Sequence, residues 1–185
     1  MKTLILSIIA LFCIINLSEA QVEIGDRAPH FSAKDDANQT WTSSDYFGKK
    51  ILIVYFYPAA MTGGCTKQAC SFRDDKSTFD DLDALVVGIS GDEVENLKYF
   101  KEAHNLNFPL LADPDGSIAK KFGVKIKEGG SIVRNINGSD ITLARGITTS
   151  RWTYIIDMNA KIAYKNTAVN AEEDSKQTIE VIKKL

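Results

Sequence analysis

Seven apolar residues in a row, Ile51-Leu52-Ile53-Val54-Tyr55-Phe56-Tyr57, run straight into Pro58. A run rich in β-branched and aromatic side chains, with no polar alternation, fits a strand covered on both faces. That burial is found in sheets sandwiched between other layers. Leu85-Val86-Val87-Gly88-Ile89-Ser90 is a second such run, and Trp152-Thr153-Tyr154-Ile155-Ile156-Asp157 a third. Between them, apolar residues recur at helical spacing: over about 64–82 with Phe72, Phe79 and Leu82, over about 93–105 with Val94, Leu97, Phe100 and Ala103, and briefly over about 116–122. A closing helix is predicted to begin with a capping box, Asn170 and Glu173, ahead of Ile179, Val181, Ile182 and Leu185. Strand and helix alternate, so the fold class is α/β: a central mixed β-sheet flanked by helices, which must cover both of its faces.

Two hairpins are also predicted. Trp152–Asp157 and Lys161–Lys165 are separated by Met158-Asn159-Ala160. Ile132–Ile136 and Ile141–Arg145 flank Asn137-Gly138, a dipeptide suited to the left-handed backbone of a tight hairpin turn. The surrounding stretch, Lys125 to Ser150, is polar and contains glycine, and is expected to be the mobile or variable part of the domain.

The N-terminus reads as a secretory signal peptide. Lys2 is followed by an apolar stretch from Leu4 to Ile15 and a more polar Asn16-Leu17-Ser18-Glu19-Ala20, with cleavage expected after Ala20. An apolar core of about twelve residues is short of the roughly 20 that a spanning helix needs, so no stable membrane insertion is expected. Cys13 follows Phe12 rather than a small residue, which argues against lipidation. Removing residues 1–20 leaves a single predicted domain, 21–185, exported to a periplasm or secreted. The formal net charge is −2, and without a Lys/Arg-rich run there is no electrostatic footprint for nucleic acid.

Export removes Cys13 and leaves Cys65 and Cys70, in a compartment that permits disulfides. Both follow the first strand, within Pro58-Ala59-Ala60-Met61-Thr62-Gly63-Gly64-Cys65-Thr66-Lys67-Gln68-Ala69-Cys70. Ligands of α/β sheets collect at the carboxyl ends of strands, so this is a functional position. Gly63-Gly64 is expected to permit a tight turn and to put Cys65 in a first helical turn. There, free N–H groups and the positive end of the helix dipole stabilise a thiolate nucleophile. Five residues along an intact helix, Cα atoms are about 8.7 Å apart, beyond the roughly 7 Å limit for a disulfide. The two thiols can therefore join only if the helix unwinds, which suits a redox cycle better than a static bridge. On spacing alone a constitutive disulfide also remains open. Two cysteines with the isolated His30 and His104 give no recognisable zinc spacing, and the histidines read as surface or packing residues.

The string Tyr55-Phe56-Tyr57-Pro58, Thr62-x-Gly64-Cys65-Thr66-Lys67-x-Ala69-Cys70-x-Phe72-Arg73-Asp74 resembles the active-site segment of the peroxiredoxins, in particular the bacterioferritin-comigratory or Q-type subfamily. Gly25-Asp26-x-Ala28-Pro29-x-Phe31, Asp45-Tyr46-x-Gly48-Lys49-Lys50, Phe108-Pro109-Leu110-Leu111-x-Asp113-Pro114-Asp115-Gly116 and Ser150-Arg151-Trp152-Thr153 extend the resemblance over essentially all of 23–185. It implies a thioredoxin-like fold and peroxide reduction by cysteine, with no metal or organic cofactor. By the same resemblance Cys65 is the peroxidatic cysteine and Cys70 the intramolecular resolving cysteine. Thr62 orients thiolate and peroxide, Pro58 shields the thiolate, and Arg151 stabilises the thiolate and the charge on the departing oxygen. The implied partners are hydrogen peroxide or a small organic hydroperoxide and a thioredoxin-like protein reductant, and the implied state is a monomer. Arg73 reads as a helix-surface salt bridge that could also bear on the electrostatics of the pair.

The sequence departs from that pattern at Gly63, often Pro, at Gln68, often Glu, at His30, often Asp, and in the longer stretch Lys127–Ile147. Gln68 removes a carboxylate from the hydrogen-bond network around the thiol. Two rival readings remain. An exported thiol-disulfide oxidoreductase or redox sensor acting on proteins would more often carry Cys-x-x-Cys than the Cys-x4-Cys found here. A non-catalytic binding domain would hold its disulfide fixed against mild reduction.

Overall fold

The computed structural model describes residues 21–136 and 138–185, so the expected signal peptide lies outside the described residues. Near the N-terminus β1 (Ser32–Lys34) and β2 (Thr40–Thr42) pair antiparallel, and β3 (Ile51–Phe56) follows. Next come α1 (Gly63–Asp74), α2 (Lys76–Asp81), β4 (Ala84–Ser90), α3 (Val94–His104), β5 (Leu110–Ala112) and α4 (Ser117–Lys121). A two-stranded ribbon of β6 (Ile126–Ile136) and β7 (Ser139–Thr149) precedes β8 (Trp152–Ile156), β9 (Ile162–Asn166) and α5 (Asp174–Ile182). The central sheet has the order β5-β4-β3-β8-β9. Strands β3, β4 and β5 are parallel, whereas β8 runs antiparallel to β3 and β9 antiparallel to β8. This is the α/β architecture with a mixed sheet that the alternating pattern predicts. None of the described helices is long and apolar enough to cross a membrane.

Strand pleating sorts the core. Ile53, Tyr55 and Tyr57 pack with Phe72 of α1, Phe79 of α2, Leu97 and Phe100 of α3, and Ile179 and Ile182 of α5. Leu52, Val54 and Phe56 point the other way, toward Phe31, Trp41, Ile118, Phe122 and Trp152. Each large apolar side chain removed from water in this way contributes about 1.5–3 kcal/mol. The second face corrects the expectation that helices cover both. Of the described α-helices only the short α4 lies there, and the aromatic N-terminal segment with its 3-10 turn at Ser43–Asp45 fills the rest, with Phe31 and Trp41 stacked at 5.5 Å and Phe31 edge-on to Phe122 at 5.5 Å.

The helix expected over 64–82 is two helices. Asp75 leaves helical geometry (φ −90°, ψ 9°), turning the chain so that Phe72 and Phe79 meet at 5.8 Å in one core. The capping box is not formed either. Asn170 Oδ1 accepts the Glu172 N–H at 3.1 Å in a turn ahead of the helix, and α5 begins only at Asp174. The hairpin of β8 and β9 is as expected. The second hairpin is longer than expected, with eleven residues in each strand. Its Asn137 lies outside the described residues, and Gly138 takes φ +86°.

Two glycines let the base of this ribbon lie backbone to backbone on the domain. A Cβ at Gly91 would fall 2.1 Å from the Ile147 carbonyl oxygen, and one at Gly146 would fall 2.2 Å from that of Pro114. The motif around Asp113 is structural as well. Its carboxylate accepts the Ile118 and Ala119 N–H groups at 2.9 and 2.8 Å, so it holds the start of α4.

Candidate active site

The loop between β3 and α1 is held from several directions. Asp92, just past β4, accepts the Ala60 N–H at 2.8 Å, and Ser90 Oγ donates to the same carboxylate oxygen at 2.8 Å. Burial pushes the Asp92 carboxyl up from its ordinary range, while these hydrogen bonds pull it back. The ribbon supplies two more anchors: Thr149 Oγ1 donates to the Tyr57 carbonyl at 2.8 Å and Arg134 Nε to the Met61 carbonyl at 2.9 Å. Between them Met61 adopts φ +59°, a conformation that costs an ordinary residue roughly 1–2 kcal/mol and persists because its surroundings fix it.

This geometry changes the expected role of Gly63-Gly64. Both lie inside α1, and the left-handed turn before the helix is made by Met61. A Cβ at Gly64 would stand in ordinary contact with the guanidinium, 3.4 Å from Arg151 Nη2. Thr62 is the extended residue at the helix start, and its Oγ1 donates to the Ala59 carbonyl at 2.8 Å. The hydroxyl proton is thereby committed to the loop, leaving the oxygen lone pairs as acceptors. Pro58 is half-buried in the same loop.

Cys65 is the third residue of α1 and only 1% exposed, in the first helical turn as expected. Pairing of β3 with β8 sets Phe56 opposite Trp152, which carries the preceding Arg151 to the end of β3 although 86 residues separate it from Cys65. Arg151 Nη2 lies 3.4 Å from Cys65 Sγ. Its Nη1 donates to Gln68 Oε1 at 2.5 Å. Gln68 Nε2 in turn donates to Asp174 Oδ2 at 2.7 Å, and Thr153 Oγ1 donates to that oxygen at 2.7 Å. Gln68, Thr153 and Asp174 are fully buried. Burial pushes the Asp174 carboxyl up, against the opposing pull of its two hydrogen bonds and of Arg151.

Cys70 is half-buried on the same helix, and both thiols are free. Arg73 pairs with Asp74 at 2.7 Å and donates to the His104 carbonyl at 2.6 Å, in keeping with a helix-surface salt bridge. His30 and His104 pack against Phe47 and Phe100, at 5.1 and 5.4 Å between ring centroids. A cleft of about 430 Å³ lined by Lys125, Ser150, Arg151, Trp152 and Thr167 opens beside the guanidinium. A larger one of about 680 Å³, between Asp36 and α3, is lined by neither cysteine.

Residues 24–165 match the AhpC/TSA family. The chain belongs to that family. It is 36% identical over 163 residues to Peroxiredoxin Bcp of Bacillus subtilis, covering 88% of this chain and 96% of that protein. It is 33% identical over 166 residues to the chloroplastic Peroxiredoxin Q of Oryza sativa subsp. japonica, covering 89% and 69%. Among solved structures, peroxidoxin BcpB from Mycobacterium tuberculosis superposes with a TM-score of 0.74 at 28% identity, over 89% of this chain and 99% of that one. A cysteine-to-serine mutant of PrxQ from Xylella fastidiosa gives 0.75 at 25%, over 89% and 98%. The family resemblance and the thioredoxin-like fold expected from the motifs therefore hold.

Motif reading assembled Cys65, Cys70, Thr62, Pro58 and Arg151, and the fold brings Arg151 to Cys65. It passed over Asp174, Thr153, Asp92, Thr149 and Arg134. Nothing local distinguishes a carboxylate 106 residues from the glutamine it holds. The one nearby signal pointed to a different residue: capping chemistry is expected of Asn170 and Glu173, whereas the carboxylate that faces the core is Asp174.

Proposed function

We propose that this protein is a thiol peroxidase in which Cys65 is the peroxidatic and Cys70 the resolving cysteine. The observation that carries the reading is the 3.4 Å approach of Arg151 Nη2 to Cys65 Sγ in the first turn of α1, where a cation and the helix N-terminus act on one sulfur. The thiolate attacks one oxygen of a hydroperoxide. The O–O bond breaks, the attacked oxygen stays on sulfur with its proton as a sulfenic acid, and the departing alkoxide or hydroxide takes a proton from water. Arg151 balances negative charge first on sulfur and then on the departing oxygen. The lone pairs of Thr62 Oγ1 accept the hydroperoxide O–H, and Pro58 limits access of water to the sulfur.

Cys70 then displaces hydroxide from the sulfenic sulfur, releasing water and closing a Cys65–Cys70 disulfide. Both cysteines lie on α1, so the segment between them must unwind. A thioredoxin-like dithiol protein reduces the bridge and is itself oxidised. An intramolecular bridge needs no partner chain, so the protein acts as a monomer. The leader-like residues 1–20 direct it out of the cytoplasm, with cleavage after Ala20.

The test is turnover of hydrogen peroxide and of a small alkyl hydroperoxide with thioredoxin and its reductase as electron source. Cys65→Ser should abolish it, and retained turnover would reject Cys65. Exchange with protein disulfides in the absence of peroxide turnover would favour the oxidoreductase reading. Intact mass of the protein recovered from an exported fraction checks the cleavage point, and retention of residues 1–20 there would reject it.

A further inference from the structure

Arg151 can serve Cys65 only while it is held. Its side chain is half-buried and borders the open cleft of Lys125, Ser150 and Thr167, so a guanidinium without a second anchor is free to turn outward. Its described side-chain hydrogen bonds go to Cys65 Sγ and to Gln68 Oε1. A glutamine is an unreliable anchor by itself, because the two ends of its amide are nearly identical in size and opposite in function. Oε1 accepts from a guanidinium, whereas Nε2 would meet it donor to donor. Something has to determine which end faces Arg151.

We infer that Asp174 is a positioning residue for the peroxidatic site, locking the Gln68 amide so that its oxygen faces Arg151 and holds the guanidinium on Cys65. Asp174 Oδ2 accepts from Gln68 Nε2 at 2.7 Å and from Thr153 Oγ1 at 2.7 Å. An acidic oxygen used purely as an acceptor admits only the amine end of the amide, and the carbonyl end is thereby delivered to Arg151. All three partners are fully buried, so no water can substitute for a missing acceptor without a cavity to hold it. The groups acting on Asp174 come from each neighbouring element: Gln68 from α1, Thr153 and the preceding Arg151 from the β8 end of the sheet, Tyr55 from β3 and Tyr164 from β9. Arg151 is the only cation among them. The two phenols are pushed by burial above their ordinary range and stay neutral.

This inference rests on Cys65 being the peroxidatic cysteine, and the experiment separates the two. In a Cys70→Ser background, the reduced chain is mixed with one equivalent of hydrogen peroxide, and thiol loss is followed by rapid mixing and intact mass. One added oxygen on Cys65 supports the underlying reading, and its absence rejects that reading whatever the role of Asp174. Asp174→Leu, which keeps bulk and removes the acceptor, is expected to slow that oxidation roughly tenfold or more. The transposed pair Gln68→Glu with Asp174→Asn should return the rate to within about threefold of the parent. A glutamate at 68 can only accept from Arg151, and an asparagine at 174 can donate to it.

Unfolding temperatures are recorded for each variant. A purely structural carboxylate predicts no rescue by the transposed pair. Parent-like oxidation in Asp174→Leu, or a transposed pair as slow as Asp174→Leu while folded, overturns the inference. If Asp174→Leu does not fold, Gln68→Met replaces it: slow oxidation there with a fast transposed pair supports the lock, and parent-like oxidation in Gln68→Met refutes it.

Discussion

Replacing Arg151 by methionine keeps an apolar stem and removes the guanidinium from its position 3.4 Å from Cys65 Sγ. At that separation the attraction between unit charges is about 5 kcal/mol at an effective dielectric of 20 and about 1.2 kcal/mol in bulk water. The guanidinium is half-buried and spreads its charge over three nitrogens, so a value of roughly 2–3 kcal/mol is reasonable for a group facing both protein and cleft. The cation faces the negative charge that passes from sulfur to the departing oxygen, so its loss removes that stabilisation from the transition state. At about 1.4 kcal/mol per tenfold, the loss is roughly 30- to 150-fold in rate. The assay is the second-order rate at which hydrogen peroxide oxidises Cys65 in a Cys70→Ser background, with and without the Arg151→Met substitution. A rate within about threefold of the parent, with the variant folded, refutes the claim that this contact carries the chemistry.

Three further outcomes are expected. Cys70→Ser should still take up one oxygen on Cys65 while thioredoxin-linked turnover collapses, as seen by intact mass and coupled assay; undiminished turnover removes Cys70 from the cycle. Gly64→Ala introduces a Cβ 3.4 Å from Arg151 Nη2 in a helix. It should leave stability equal or raise it by up to about 1 kcal/mol and leave peroxide reduction within about twofold of the parent, since 3.4 Å is an ordinary contact; a large loss of rate with the variant folded would show that the guanidinium has no room to spare. Asp92, Asp113 and Asp174 are all shifted upward by burial from an ordinary 3.8. Each folded carboxyl holds its proton to higher pH than in the unfolded chain. Its stabilising contribution is therefore full below 3.8 and lost as pH rises through the folded value. Calorimetric melting curves should show Asp174→Leu losing less melting temperature than the parent over that window, and a slope as steep as the parent's contradicts the assignment.

The parts of this molecule that could be read from the chain are those whose physics is local. β3 and β8 announce themselves because strands buried on both faces need unbroken apolar residues. The thiol at a helix start is legible because strand, loop and helix follow within about a dozen positions. Strands β1, β2 and β5, at three residues each, are too short for a period to show. The hairpin around Asn137-Gly138 is legible from its turn, but its full length is not, because the base of the ribbon depends on glycines whose partners lie elsewhere in the chain. Arg151 was recoverable from a motif, whereas the Gln68–Asp174 pair was not. Gln68 looked like a missing carboxylate, and the acid that stands behind it enters from a helix more than a hundred residues away.

The most direct test of the central claim is the second-order rate at which the fully reduced protein loses thiols to hydrogen peroxide, with intact mass recorded before and after. Oxidation orders of magnitude faster than free cysteine, ending two hydrogens lighter with no added oxygen, is the expected result for a Cys65 that reacts and a Cys70 that resolves. A rate no faster than free cysteine contradicts it.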